Sequence, residues 1–210
     1  VFPLSNKVNH RKVTFTNRYG ITLAADMYVP KQAEGKLPAI AVSGPFGAVK
    51  EQSSGLYALT LAERGFLTIA FDTSYTGERG GETRYVASPD INTEDCCAAV
   101  DFLSTCEHVN AARIGILGIC GCGGMALNAA AIDTRIKATV TATMYDMSRV
   151  NADGYFDAMD ADARYELRKQ LNAQRTEDYR KGTYALAGGV VDPLPDDAPQ
   201  FVKDYYGYYK

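Results

Sequence analysis

Apolar and polar positions alternate over residues 12–16 (KVTFT) and 21–29 (ITLAADMYV), which predicts two strands joined by a turn at 17–20, an antiparallel hairpin at the edge of a sheet. A polar loop at 31–36 separates them from an apolar run at 37–42 (LPAIAV), which predicts a third strand ending in the glycine-rich stretch Ser43-Gly44-Pro45-Phe46-Gly47. Residues 53–64 read as a helix stopped by Gly65, with Leu56, Leu59 and Ala62 spaced to face the sheet. The run 66–71 (FLTIAF) predicts the next strand, and 72–84 is too polar and glycine-rich to be regular. Asn92 is placed to cap a helix that runs to about residue 106, with Glu94 and Asp95 in its first turn. Ile114, Ile116, Leu117 and Ile119 then make a short apolar run, a strand buried on both faces, followed by an alanine-rich helix over 125–132 and one more strand over 136–143. Four strands alternating with three helices behind a hairpin predict an α/β fold, a mostly parallel sheet flanked by helices and connected by right-handed crossovers.

After Tyr145 the pattern changes. Residues 157–175 are charged, with Ala163, Leu167 and Leu171 in one stripe, and predict an amphipathic surface helix. Gly188-Gly189 and the prolines at 193, 195 and 199 mark loops, and no further buried strand appears before the aromatic tail Tyr205-Tyr206-Gly207-Tyr208-Tyr209, which packs against another surface or closes over a pocket as a lid. The chain therefore divides into a core over 1–147 and a helical cap segment over 148–210.

Composition narrows the partners. The 210 residues are 46% hydrophobic and 22% charged, enough for a sizeable core. A net charge of −3 with scattered Lys and Arg argues against nucleic acid and against an anionic membrane surface. No apolar run approaches a membrane span. The chain begins at Val1 without a signal-like segment, as it would after removal of a leader or trimming. Its cysteines, at 96, 97, 106, 120 and 122, are odd in number and clustered, which fits reduced thiols in a cytosol-like compartment better than a disulfide framework. Cys96 and Cys97 read as small buried side chains of a helix. Cys120-Gly121-Cys122 lacks zinc spacing, two histidines are too few to complete a site, and no metal or cofactor is expected.

The chemistry concentrates in 113–124, RIGILGICGCGG. A strand that turns this sharply into a helix strains its central residue, needs small neighbours and lifts one side chain above the sheet at the helix N-terminus, which is how a nucleophile is presented. The same glycines would also allow close helix packing or cradle a phosphate, but they do not follow G-x-G-x-x-G and no lysine followed by Ser or Thr accompanies them. A thiol at the apex gains from the helix dipole and free amides, which are expected to lower its pKa.

These residues resemble the α/β-hydrolase superfamily, and within it the dienelactone-hydrolase-like branch. The resemblance covers about 12–147 and rests on RIGILGIC before a glycine pair, on FDTSYTGERGGE after one strand and on SGPFGAVKEQ after another. It implies a cysteine nucleophile in G-x-C-x-G-G, whose first half Gly118-Ile119-Cys120 matches. One extra residue before Gly123-Gly124 leaves two registers: Cys120 as nucleophile, or Cys122 with Cys120 two before it and Gly124 two after. Strand length from Arg113 favours Cys120. The amide of the next residue, Gly121 or Gly123, would be one oxyanion donor and that of Phe46 the second, since Pro45 has no N–H. Tyr75, Tyr145 and the segment after Asp146 would line the pocket.

The superfamily's order is nucleophile, acid, histidine. This chain has only His10 and His108, both ahead of the elbow and expected at the wrong end of the sheet, while Asp146 stands where an acid would serve. The resemblance thus implies a hydrolase of small-molecule carboxylic esters or lactones whose catalytic histidine, with the last strands, lies outside this chain. The chain would be one piece of a nicked protein or a truncated product, and its open sheet edge would favour a second polypeptide completing the sheet or a homo-oligomer. The rival expectation is a noncatalytic binding or scaffold chain whose cysteines are simply small residues at a tight turn.

Overall fold

In the computed structural model, which describes residues 2–78, 80–187, 190 and 192–210, the hairpin strands are β1 (Val8–Thr16) and β2 (Thr22–Pro30). They are followed by β3 (Leu37–Ser43), α1 (Ser53–Ala62), β4 (Leu67–Phe71), α2 (Pro89–Thr105), β5 (Val109–Ile119), α3 (Gly121–Ile132) and β6 (Ile136–Ala142). The six strands form one sheet in the order β1-β2-β4-β3-β5-β6. β1 pairs antiparallel with β2, and β2 antiparallel with β4; β4, β3, β5 and β6 are mutually parallel. This is the expected α/β architecture with its antiparallel hairpin at one edge.

Helices cover both faces because the parallel strands are apolar on both. On one side Ala41, Ile69, Ile114 and Ile116 pack with Val100 and Leu103 of α2 and Met125, Ala126 and Ala129 of α3. On the other Val42, Ala70, Leu117 and Ile119 pack with Ala58, Leu59 and Ala62 of α1. Cys96 and Cys97 are buried in α2 as small core side chains.

Several local expectations shift. β1 begins at Val8 rather than Lys12, because its ladder with β2 continues to Val8 opposite Pro30 through polar residues that alternation does not flag. In α1 the expected inward residue Leu56 is 47% exposed, and the buried face is instead Ser54, Gly55, Ala58, Leu59 and Ala62. Gly55 packs on the turn before the helix and on Phe2: a Cβ there would meet the Lys50 carbonyl at 2.4 Å and the Phe2 ring at 2.9 Å. α2 is capped by Ser88, not Asn92; the Ser88 hydroxyl accepts from the Ile91 amide, Pro89 opens the helix, and Asn92 Oδ1 accepts from the Ser88 amide at 3.0 Å.

The chain separates into a unit from Val1 to Asp146 and another from Met147 to Lys210. The second contains α4 (Met147–Asp153), a 3-10 turn (Tyr155–Asp157), α5 (Ala161–Lys181) and α6 (Gln200–Tyr209). α5 starts at an Asp160 cap and ends at a left-handed Gly182, and it buries none of its residues, so the expected stripe leaves Leu171 58% exposed. α6 is a helix where only an aromatic tail was expected. Gly188 and Gly189, expected in a loop, lie outside the described residues.

Candidate active site

β5 enters the elbow at Ile119 and α3 leaves it at Gly121, and the single residue between them, Cys120, sits at φ +56° and ψ −126°. A non-glycine residue there costs roughly 1–3 kcal/mol of backbone strain, which the surroundings must enforce. They do so with hydrogen bonds and close contacts. The Cys120 amide donates to the Ala142 carbonyl at 2.9 Å, and its own carbonyl accepts from the amides of Gly123 at 3.0 Å and Tyr145 at 3.3 Å. A Cβ on Gly118 would stand 2.4 Å from the Cys122 carbonyl, and one on Gly121 2.7 Å from the Phe46 ring. The backbone thus adopts the register with Cys120 at the apex. Cys122 falls in the first turn of α3 and is 2% exposed.

The two thiols differ accordingly. Burial pushes the Cys122 thiol up to about 12, although the Ser43 hydroxyl beside it works in the other direction. Cys96 is raised for the same reason and also neighbours Ser43. Cys120 is half-buried; burial raises its thiol as well, opposed by a hydrogen bond from the Gly121 amide to the sulfur. The expected net lowering by the helix N-terminus does not occur, because desolvation of a thiolate outweighs one amide where, among the described residues, no cation acts on it.

Phe46 lies in the turn after β3, where the Pro45 carbonyl accepts from the Ala48 amide at 3.1 Å. Among the described residues the Phe46 amide donates to no backbone carbonyl. The Phe46 ring stands against Gly121, the residue that follows Cys120. The amide of Gly123 is instead taken by the Cys120 carbonyl. Tyr145 is half-buried just beyond β6 and tied to the apex through its amide, and Asp146 follows it, exposed. Tyr75 is half-buried at φ +68°, its amide bonded to the Gly80 carbonyl and its carbonyl to the Tyr85 amide.

Neither histidine reaches this end of the sheet. His108 immediately precedes β5, and its carbonyl accepts from the Leu37 amide at the start of β3. His10 is the third residue of β1, which two antiparallel pairings align with β4, so it too lies toward the amino ends of the parallel strands. It stacks on Tyr28 at 5.0 Å, with Nε2 3.0 Å from Asp26 Oδ1.

Two features escaped the sequence. Asp72, at the end of β4, is fully buried and accepts from the Lys50 amide at 2.7 Å, Lys50 Nζ at 3.2 Å and the Glu78 amide at 3.0 Å. Asp95 in α2 is buried too, and accepts from Asn17, Asn92 and both the amide and hydroxyl of Ser74. The aspartate of FDT, Asp72, hinted at the first; nothing in the pattern marks Lys50, since lysine is ordinarily a surface residue.

The chain is similar to known hydrolase-fold proteins. The profile of the family described as X-Pro dipeptidyl-peptidase (S15 family) matches residues 19–187. The uncharacterized protein PA2218 of Pseudomonas aeruginosa is 61% identical over 209 residues, 99% of this chain and 56% of that protein. Its crystal structure superposes with a TM-score of 0.94, covering 99% of this chain and 65% of that one. The thiohydrolase aneE of Aspergillus aculeatus is 28% identical over 132 residues, 63% of this chain and 41% of that protein. A putative dienelactone hydrolase of Klebsiella pneumoniae shares the fold at 21% identity, with a TM-score of 0.56 over 66% of this chain and 61% of that one. The chain thus spans little more than half the length of PA2218.

Proposed function

Because the chain belongs to the X-Pro dipeptidyl-peptidase (S15) family and has the α/β-hydrolase fold, we propose that it is a hydrolase of carboxylic ester or lactone bonds with Cys120 as nucleophile. The observation that carries this reading is the strained φ +56°, ψ −126° conformation of Cys120 at the strand-to-helix turn. The Cys120 thiolate attacks the carbonyl carbon, a C–S bond forms, and the tetrahedral oxyanion is held by the amides of Gly121 and Phe46. Collapse expels the alkoxide and leaves an acyl-enzyme, which water then cleaves to the acid. Similarity to a thiohydrolase adds thioesters to the bonds worth testing.

A thiol raised by burial needs a base to ionise at neutral pH. With both histidines toward the opposite end of the sheet, we assign that base to a histidine of further polypeptide docked along β6, with Asp146 at that edge as its acid partner. The support is twofold: β6 ends the sheet with exposed residues on both faces, and the chain spans only part of PA2218. Tyr75 and Tyr145 are proposed as pocket walls, with residues 148–210 as the cap.

The test is thiol mapping. Native protein is treated with iodoacetamide and with p-nitrophenyl esters, thioesters and an X-Pro anilide, and the modified cysteine is located by peptide mass spectrometry in wild type, Cys120→Ala and Cys122→Ala. Acylation confined to Cys120 and lost in Cys120→Ala is the expected result. At alkaline pH, where a thiol raised by burial ionises without a base, absence of acylation at Cys120 would favour the scaffold reading, in which the cysteines only fill a tight turn.

A further inference from the structure

Lys50 is an unusual residue for its place. Its side chain is 1% exposed, yet its ammonium is ringed by three carboxylates: Glu51 Oε1 at 2.8 Å, Glu78 Oε2 at 3.0 Å and Asp72 Oδ2 at 3.2 Å. Burial alone would favour the neutral amine, but these carboxylates outweigh it and hold Lys50 charged. Glu78 in turn is pulled down to about 2 by Lys12 and Lys50. A buried charge maintained by this many partners is costly to leave unpaired, so the cluster locks whatever it joins.

It joins two loops. Lys50 closes the turn after β3 that carries Phe46, and Asp72 and Glu78 belong to the loop after β4. Asp72 grips the first loop through both the amide and the ammonium of Lys50, and the second through the Glu78 amide. The grip leaves no slack: a Cβ on Gly77 would lie 2.1 Å from the Asp72 carboxylate. At the opposite end of the same turn, the Phe46 ring is pressed on Gly121. The segment from Phe46 to Lys50 is therefore clamped at both ends, one on the elbow and the other on β4.

We propose that Lys50 is a positioning residue for the oxyanion hole: through Asp72 it fixes the turn that aims the Phe46 amide at the tetrahedral intermediate formed on Cys120. This rests on the reading of Cys120 as the nucleophile. It assigns Lys50 no contact with substrate and no proton transfer. Its effect belongs to reactions that develop charge on a carbonyl oxygen and not to the nucleophilicity of the sulfur itself.

That distinction gives the experiment. Two reactions of Cys120 are timed in the 210-residue protein at alkaline pH, where the thiolate forms without a base. With p-nitrophenyl acetate the thiolate forms a C–S bond to the carbonyl carbon, an oxyanion develops, and the C–O bond breaks with release of p-nitrophenolate. With iodoacetamide the thiolate displaces iodide at a saturated carbon and no oxyanion arises. Lys50→Met is expected to slow acylation at Cys120 by about tenfold or more while alkylation stays within about twofold of wild type. Lys50→Arg, which keeps donors toward Asp72, is expected to restore most of the acylation rate. Equal acylation in wild type and Lys50→Met overturns the proposal and leaves the nucleophile assignment standing. A parallel fall in both reactions overturns it as well, since it would mean general disorder of the elbow. Absence of Cys120 acylation in wild type overturns the nucleophile assignment and this proposal with it. If Lys50→Met does not fold, Glu78→Gln, altered at a half-exposed partner of the ammonium, must show the same selective loss, and without it the proposal fails.

Discussion

At the level of single residues, Cys120 and Cys122 differ by two positions and by nearly everything that matters to a thiol. Cys120 occupies the strained apex with the Gly121 amide on its sulfur, and Cys122 is sealed beside Ser43 and Cys96. Thiolate is the reactive form, and burial raises the Cys120 thiol, so alkylation at this site should be slow at pH 7 and climb with pH through a midpoint above that of a free cysteine. A pH series of iodoacetamide rates in Cys122→Ala checks this, and a midpoint below that of free cysteine titrated alongside would contradict the burial argument. Gly118 makes a second prediction. A methyl group there would stand 2.4 Å from the Cys122 carbonyl and 2.8 Å from Ala126, so Gly118→Ala should destabilise by about 1–3 kcal/mol, read from urea unfolding. The glycines were visible in the sequence. Which of the two cysteines they serve was only favoured, by strand length from Arg113 toward Cys120, because one inserted residue shifts the match; the φ and ψ values of the turn show which residue is strained.

Between elements, the long loop after β4 is held by two buried carboxylates rather than by regular structure. Asp72 ties its beginning to the turn after β3, and Asp95 ties Ser74 to the hairpin turn through Asn17 Nδ2 at 2.8 Å. Asp95→Ala would strip an acceptor from donors on Asn17, Asn92 and Ser74 at once, and should cost at least about 2 kcal/mol of stability. Limited trypsin digestion offers a sharper readout: cleavage after Arg84, in the loop these bonds hold, should quicken in Asp95→Ala more than cleavage in the Ala161–Lys181 helix. Equal acceleration at both would mean global destabilisation instead. In sequence terms this loop was read as polar and irregular, a motif of the resemblance with Tyr75 as a pocket residue, but without the bonds that hold it. Its order comes from side chains up to 78 positions apart, a separation that periodicity does not reach.

For the molecule as a whole, β6 is the exception. β5 beside it is buried from Ile114 to Ile119, whereas β6 buries no residue and leaves Val140 53% exposed. An unpaired parallel edge of this kind invites another strand. The 210-residue protein is accordingly expected to associate with rising concentration in sedimentation experiments, and Val140→Lys should shift it toward monomer; a wild type that stays monomeric at all concentrations would count against an edge that needs covering. Among the described residues no helix is long and apolar enough to cross a membrane.

The order of elements and the α/β class follow from the sequence alone, because apolar runs of strand length and helical spacing are local properties that burial on two sheet faces imposes on every window of the chain. The elbow was legible for the same reason, its glycines and cysteines being adjacent. Only the tertiary structure decided that Cys120 is the strained residue, that its thiol is raised rather than lowered, and that a lysine lies sealed among three carboxylates. Each of these depends on solvent exclusion and on partners distant in sequence, such as Ala142 for the turn and Asp72 for Lys50. Desolvation acts on the assembled fold, and no local pattern of residue types encodes it.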